Sequence, residues 1–202
     1  DGPGCCGEVE VVDIGLDAAT PQRSLADVYL LQESDLQWPS RGLDAHKHRM
    51  GHLLVVAGSA QMAGAAVLVC RGALAAGVGL VSLVAPRGAW PRLGALPPEV
   101  MLRDGGAGDR LEALPDPHGV TAVAAGPGLG GGDALPEAMA HGLAEWWGRL
   151  DLPMVFDADA LVCTRATDRR ERVLTPHEGE AARLLDIQSA DVRRDRVGAV
   201  TK

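Results

Sequence analysis

From His46 onward the chain alternates short apolar runs, glycine-rich turns and Ala/Leu-rich stretches, and this alternation limits its possible folds more than any other feature. Leu53 to Ala57 (LLVVA) is continuously apolar and closed by Gly58-Ser59, as expected of a strand buried on both faces. Gly64 to Gly77 (GAAVLVCRGALAAG) is rich in helix formers and bounded by glycines, which predicts a helix whose small residues permit close packing. Leu80 to Val84 returns as a strand before Pro86. Further strands are expected at Val100 to Leu102, Thr121 to Ala125, Met154 to Phe156 and Arg172 to Leu174, with helices near Pro136 to Arg149 and Pro176 to Leu185. The pattern implies an α/β fold with a mostly parallel central sheet and helices on both faces. In such sheets ligands sit beyond the carboxyl ends of the strands, so chemistry is sought in those loops.

A length of 202 residues allows one substantial domain and a fragment of another. A net charge of -8 works against nucleic acid or an anionic membrane as partner, because phosphate binding wants clustered cations. The two lysines, Lys47 and Lys202, both lie outside a G-x-x-x-x-G-K-[ST] motif, so a nucleotide must be held without a P-loop. Cys5, Cys6, Cys70 and Cys163 show no C-x-x-C spacing, which fits a reduced, cytoplasmic chain. No apolar run approaches a membrane span, and DGPGCCGEVE lacks the basic and apolar regions of a signal peptide.

The N-terminal stretch reads differently. Gly7 to Leu16 (GEVEVVDIGL) has the pattern of a short strand, either the last strand of an upstream domain or an addition to the edge of the following sheet. The former is favoured, because Asp17 to Asp44 then reads as a polar linker with one apolar patch at Val28 to Leu31.

Four expected strands end in conspicuous loops: Gly58-Ser59 with Gly64-Ala65, Gly126-Pro-Gly-Leu-Gly130, Asp157-Ala-Asp159, and Thr175-Pro-His177 with Glu180. Each has an ordinary structural account: turn glycines, Asp159 or Thr175 as helix N-caps, Pro176 at the first helical position, Glu180 as a first-turn acid. Their coincidence on one sheet edge favours a shared site. Gly126, Gly128 and Gly130 let backbone approach a pyrophosphate or ribose, and the helix near Pro136 offers free N–H groups. Of Asp157 and Asp159, one suits Mg²⁺ or a ligand hydroxyl while the other caps the next helix. His177 is placed to donate to a phosphate or a carboxamide.

The ordered segments HKHRMGHLLVVAGS, GAAVL, GLVSLVAP, AAGPGLG, VFDADAL and LTPHEGEAARLL resemble the ADP- or ATP-dependent NAD(P)H-hydrate dehydratases of the ribokinase-like superfamily, over nearly everything from Arg41 onward. The resemblance implies a ribokinase-like three-layer fold. It also implies lyase chemistry: ADP or ATP, with Mg²⁺, phosphorylates the hydroxyl of hydrated NADH or NADPH, and loss of phosphate restores the ring double bond. By the same resemblance Ala65, Gly126, Gly128, Gly130 and His177 contact the hydrated dinucleotide. Asp157, Asp159, Thr175 and Glu180 then lie near the nucleotide phosphates and metal. GEVEVVDIGL is similar to the end of the NAD(P)H-hydrate epimerase domain fused upstream in many bacteria. Residues 1–22 are then an epimerase remnant, 23–45 a linker and 46–202 the dehydratase domain, with a homo-oligomer as the expected assembly.

The family continues past the T-P-H helix into a Lys-Gly segment for the adenine nucleotide and a Gly-Thr/Ser-Gly-Asp loop supplying an anion hole and an acidic base. Neither precedes Lys202, so the fold is expected to be incomplete at the C-terminus, with one sheet edge and face exposed and no catalytic residue of its own. Binding without turnover is the expectation for this chain. Other readings are a vitamin or sugar kinase of the same superfamily, a non-catalytic dinucleotide-binding module, and a dehydrogenase, since Gly126, Gly128 and Gly131 satisfy G-x-G-x-x-G. Asp157 lies 26 residues beyond Gly131, further than a dehydrogenase usually has it. His46, His48 and His52 are expected to be solvated loop residues, Trp146-Trp147 packing or oligomer contacts, and Arg193, Arg194 and Arg196 a solvated helix face.

Overall fold

The structure is a computed structural model that describes residues 33–35, 50–130, 135–165 and 171–201. The expected strand at 7–16, the patch at 28–31, His46, His48 and Gly131 lie outside the described residues. Strands β1 (His52–Val56), β2 (Leu80–Ala85), β3 (Met101–Asp104), β4 (Ala122–Ala125), β5 (Met154–Phe156) and β6 (Arg172–Leu174) form one sheet in the order β3-β2-β1-β4-β5-β6. Every pairing is parallel.

Helices α1 (Ala63–Ala75), α2 (Glu137–Arg149), α3 (Glu178–Leu185), α4 (Ser189–Arg194) and α5 (Arg196–Val200) complete the described elements, with 3₁₀ turns at Glu33–Asp35, Arg87–Arg92 and Ala158–Cys163. Strand alternation sorts the core into two sides. Leu54, Val56, Val123, Ala125, Met154 and Phe156 face α2 and the 158–163 turn, while Val55, Ala57, Val81, Leu83 and Ala85 face α1 and the 87–92 turn. Leu54, Val55 and Val56 are fully buried on alternating faces of β1, which is why this part of the chain is continuously apolar. Toward the β6 edge the α1 side is barer: Val155 is 39% exposed and Val173 52%.

The expected elements differ from the observed ones mainly at their ends. β3 starts at Met101 because the Val100 N–H closes a turn onto the Pro97 carbonyl. His52 is the first residue of β1 and not a solvated loop residue: its ring Nε2 lies 2.8 Å from Ser82 Oγ and its Nδ1 3.2 Å from the Gly119 carbonyl. Ser82 is fully buried in β2, and a buried hydroxyl needs such a partner. Arg193, Arg194 and Arg196 are exposed, as expected, and Arg193 and Arg196 also bond Glu178, which ties α4 and α5 to the start of α3. Trp147 is a packing residue, 4.8 Å from Phe156 between ring centroids.

The sheet order places a crossover between β1 and β4. From β1 the chain builds outward to β2 and β3, and from β4 it builds the other way to β5 and β6. The ends of β1 and β4 therefore mark the point where the strand order reverses, the position at which open parallel sheets bind ligands.

Candidate functional site

Parallel register sets the geometry of this rim. Val56 pairs with Ala125, Ala125 with Phe156 and Phe156 with Leu174, so Ala57, Gly126, Asp157 and Thr175 leave the sheet side by side.

At the crossover, the Gly58 N–H donates to the Pro127 carbonyl at 2.9 Å, and the Gly126 N–H to the Val56 carbonyl at 3.0 Å. The loop after β1 is braced from the other side: the Ala60 N–H donates to the Asp109 carbonyl, and Arg92 Nη1 donates to the Ala60 carbonyl at 2.7 Å. Gly128, at φ +73°, lies against the first turn of α1, where a Cβ would come within 3.0 Å of the Ala65 methyl and of the Met62 carbonyl. A side chain there would push the two loops apart, so glycine is needed for both conformation and approach. Met62 supplies no side-chain cap to α1, and the first turn of that helix carries no acidic residue, so its own residues leave its positive end uncompensated.

The turn after β5 interlocks with the same loop. Gly126, at φ +131°, faces the Asp157 carbonyl so closely that a Cβ would sit 1.6 Å from that oxygen. Ala158 follows in the left-handed region at φ 46°, a conformation that costs about 1–2 kcal/mol for a non-glycine residue. The turn this creates carries Asp159 back toward the loop, where its Oδ2 accepts from the Gly130 N–H at 2.8 Å. Asp159 is thus not the helix cap that its spacing suggests. Asp157 is half-buried, and its carboxylate meets no hydrogen-bond donor among the described residues.

Beyond β6, α3 begins at Glu178 with His177 as its cap, so neither Thr175 caps the helix nor does Pro176 open it. His177 Nδ1 accepts from the N–H of Gly179 at 3.0 Å and of Glu180 at 3.4 Å, while the His177 N–H donates to Glu180 Oε2 at 2.8 Å. This reciprocal box satisfies helix-end donors that would otherwise be orphaned. Because Nδ1 accepts, the ring proton resides on Nε2, which lies 3.3 Å from Glu180 Oε1 on a side chain 69% exposed. A cleft of about 700 Å³ opens here, bounded by Leu174, Thr175, His177, Leu184, Val192 and Arg196 among others. Its walls include neither Ala65 nor the loop glycines.

The structure therefore joins Ala65 to Gly128, Gly130 to Asp159 and Gly126 to the Asp157 backbone, with Thr175 beside Asp157 on the rim. No hydrogen bond among the described residues links His177 or Glu180 directly to the glycine loop. Two features escape sequence reasoning. The strained Ala158 has no local signal, and Ser59, which is 1% exposed with an Oγ lacking a hydrogen-bond partner among the described residues, looks in sequence like an ordinary turn serine. Burial pushes the Cys70 and Cys163 thiols up to about 11, so neither supplies a nucleophile in the fold. At the β2–β3 end of the rim, Arg87 bonds Asp104 and holds its carboxyl below the usual range.

The family model described as NAD(P)H-hydrate dehydratase matches residues 53–202. The bifunctional NAD(P)H-hydrate repair enzyme of Coxiella burnetii is 36% identical over 202 residues, 98% of this chain and 40% of that protein. The ADP-dependent (S)-NAD(P)H-hydrate dehydratase of Neisseria meningitidis is 38% identical over 172 residues, 81% of this chain and 55% of the relative. Among solved structures, the Bacillus subtilis ADP/ATP-dependent NAD(P)H-hydrate dehydratase, co-crystallised with ATP/Mg²⁺, superposes with a TM-score of 0.61 at 30% identity, covering 79% of this chain and 56% of its own. A ribokinase-like superfamily protein of Enterococcus faecalis shares the fold at a TM-score of 0.60 and 18% identity. The chain thus spans about 40% of the bifunctional relatives' length and 55% of the Neisseria enzyme's.

Proposed function

The chain belongs to the NAD(P)H-hydrate dehydratase family, and from that premise we propose that its crossover loops bind hydrated NADH or NADPH for nucleotide-dependent dehydration. The observation that carries this reading is the close approach of Gly128 to Ala65 at the sheet crossover, where backbone from two loops meets beside an uncapped helix start. Such a surface offers N–H groups and no side-chain bulk, which suits the pyrophosphate and ribose of a dinucleotide.

In this proposal Ala65, Gly126, Gly128 and Gly130 line the dinucleotide. His177 meets the ligand through the exposed Nε2 side of its ring, beside Glu180 Oε1, while its other nitrogen stays committed to α3. Hydroxide is a poor leaving group, so the ring hydroxyl is first phosphorylated by ADP or ATP. The ester then leaves as phosphate while the ring loses a proton, and the dihydropyridine double bond re-forms. Asp157, half-buried and without a donor among the described residues, would hold a Mg²⁺ through its carboxylate. When bound, that ion neutralises phosphate charge. Asp159, Thr175 and Glu180 belong to the same side of the site. The proposal extends to a cytoplasmic homo-oligomer with an epimerase domain in the same polypeptide. No described helix is long and apolar enough to cross a membrane.

Calorimetric titration with hydrated NADPH, with NADPH and with hydroxymethylpyrimidine, each with and without ADP and Mg²⁺, tests the reading. Preferential binding of the hydrate supports it. NADPH binding as tightly as the hydrate without nucleotide would indicate a dehydrogenase-like site, and preference for the pyrimidine a small-molecule kinase.

A further inference from the structure

The two aspartates after β5 share a turn but not an environment. Asp159 Oδ2 is spent on the Gly130 N–H at 2.8 Å, in a part-buried bond between the 158–163 turn and the loop after β4. Asp157 contributes backbone: its N–H donates to the Ala125 carbonyl at 3.0 Å, and its own carbonyl fills the space a side chain on Gly126 would need. Between them, Ala158 holds a left-handed conformation that an alanine adopts only under constraint from its surroundings. That conformation turns Asp159 toward Gly130 and leaves the Asp157 carboxylate on the rim between Gly126 and Thr175.

The geometry points to Asp159 as a positioning residue for the dinucleotide-binding site: it fixes the glycine loop at its Gly130 end, while Asp157 is left to meet the ligand or its cation. This rests on the site proposed above. The loop is held at its other end by the Gly58 N–H on the Pro127 carbonyl and by the packing of Gly128 against α1. Removing the Asp159 tie therefore frees the Gly130 end only, and the backbone there loses its fixed placement beside Gly128. A loop with a free end samples conformations that bind poorly, and the population that binds falls accordingly.

The test compares Asp159→Ala, Asp159→Asn and Asp157→Asn in the 202-residue chain by amide hydrogen exchange over residues 126–130 and by titration with hydrated NADPH in the presence of ADP and Mg²⁺. Asp159→Ala is expected to speed exchange of the Gly130 amide at least tenfold and weaken hydrate binding about tenfold. Asn keeps an acceptor oxygen at the same reach and should recover most of both. Asp157→Asn should weaken binding with loop exchange unchanged. Unchanged exchange in Asp159→Ala, or faster exchange with undiminished hydrate binding, overturns the positioning role. If the unsubstituted chain binds no hydrate, the proposed function fails, and the exchange rates alone still decide whether Asp159 holds the loop. If Asp159→Ala does not fold, Asp159→Ser, whose side chain is too short to reach the Gly130 N–H, takes its place under the same outcomes.

Discussion

The guanidinium of Arg172, on edge strand β6, lies 5.4 Å over the ring of Trp147 and donates from Nε to that residue's own carbonyl at 3.0 Å. It also donates to the carbonyls of Leu150 and Leu152, both at 2.6 Å. One side chain thus satisfies carbonyls at and after the C-terminal end of α2, places positive charge at the negative end of that helix, and ties β6 to the layer above it.

Arg172→Ala should therefore destabilise the fold by about 2–4 kcal/mol, because it leaves several part-buried carbonyls without a donor at once. Arg172→Lys should recover less than half of this, since an ammonium cannot reproduce the planar fork. Urea unfolding with an unchanged m-value measures both. A shift below about 0.5 kcal/mol for the alanine variant would show that the bonds carry no net stability.

Two glycines should respond with opposite signs. Gly126→Ala puts a methyl onto the Asp157 carbonyl at an unfavourable φ and should cost about 3 kcal/mol or more, or prevent folding. Gly72 sits inside α1, and a methyl there would meet nothing within 4 Å, so Gly72→Ala should stabilise by about 0.5–1 kcal/mol. Thermal unfolding of the two variants beside the parent decides the signs.

His177 combines two roles that substitution can separate. His177→Asn keeps a cap for α3 and removes the imidazole, so stability should hold while binding of hydrated NADPH drops about tenfold or more. His177→Ala loses both, with a stability cost of about 1 kcal/mol. Equal binding by parent and asparagine variant would remove the ring from the site.

Acid should loosen the C-terminal helices in a defined window. Arg193 and Arg196, by hydrogen bonds and then by charge, hold the Glu178 carboxyl below its ordinary value. A depressed folded-state value means that the linkage contributes fully above the ordinary glutamate range and is lost as pH falls through the lower folded-state value. Hydrogen-exchange protection in residues 189–200, taken relative to the intrinsic rate at each pH, should fall through that interval at low pH. In Glu178→Gln the same helices should exchange faster already at neutral pH and show a smaller change on acidification.

The alternation of strands and helices is legible in the sequence because both faces of β1, and most of β2, are buried, leaving apolar runs bounded by glycine. β5 and β6 can be placed to the residue, since Met154–Phe156 and Arg172–Leu174 are bracketed by proline, aspartate and threonine. The site is legible as a set of loops but not as contacts. Which of Asp157 and Asp159 turns inward depends on the backbone of Ala158, for which alanine gives no local cue. His177 as the cap of α3 is hidden behind Thr175 and Pro176, which are stronger signals by composition. His52 reads as a loop residue in sequence because its partners Ser82 and Gly119 come from distant parts of the chain.

The aligned strand ends have an evolutionary corollary. Inserting or deleting one residue within β4 or β5 would slide Gly126 past the Asp157 carbonyl and turn every later side chain of that strand to the opposite layer. Chains of this design should accordingly tolerate indels in the long connection between β3 and β4, while β4 and β5 diverge by replacement at constant length.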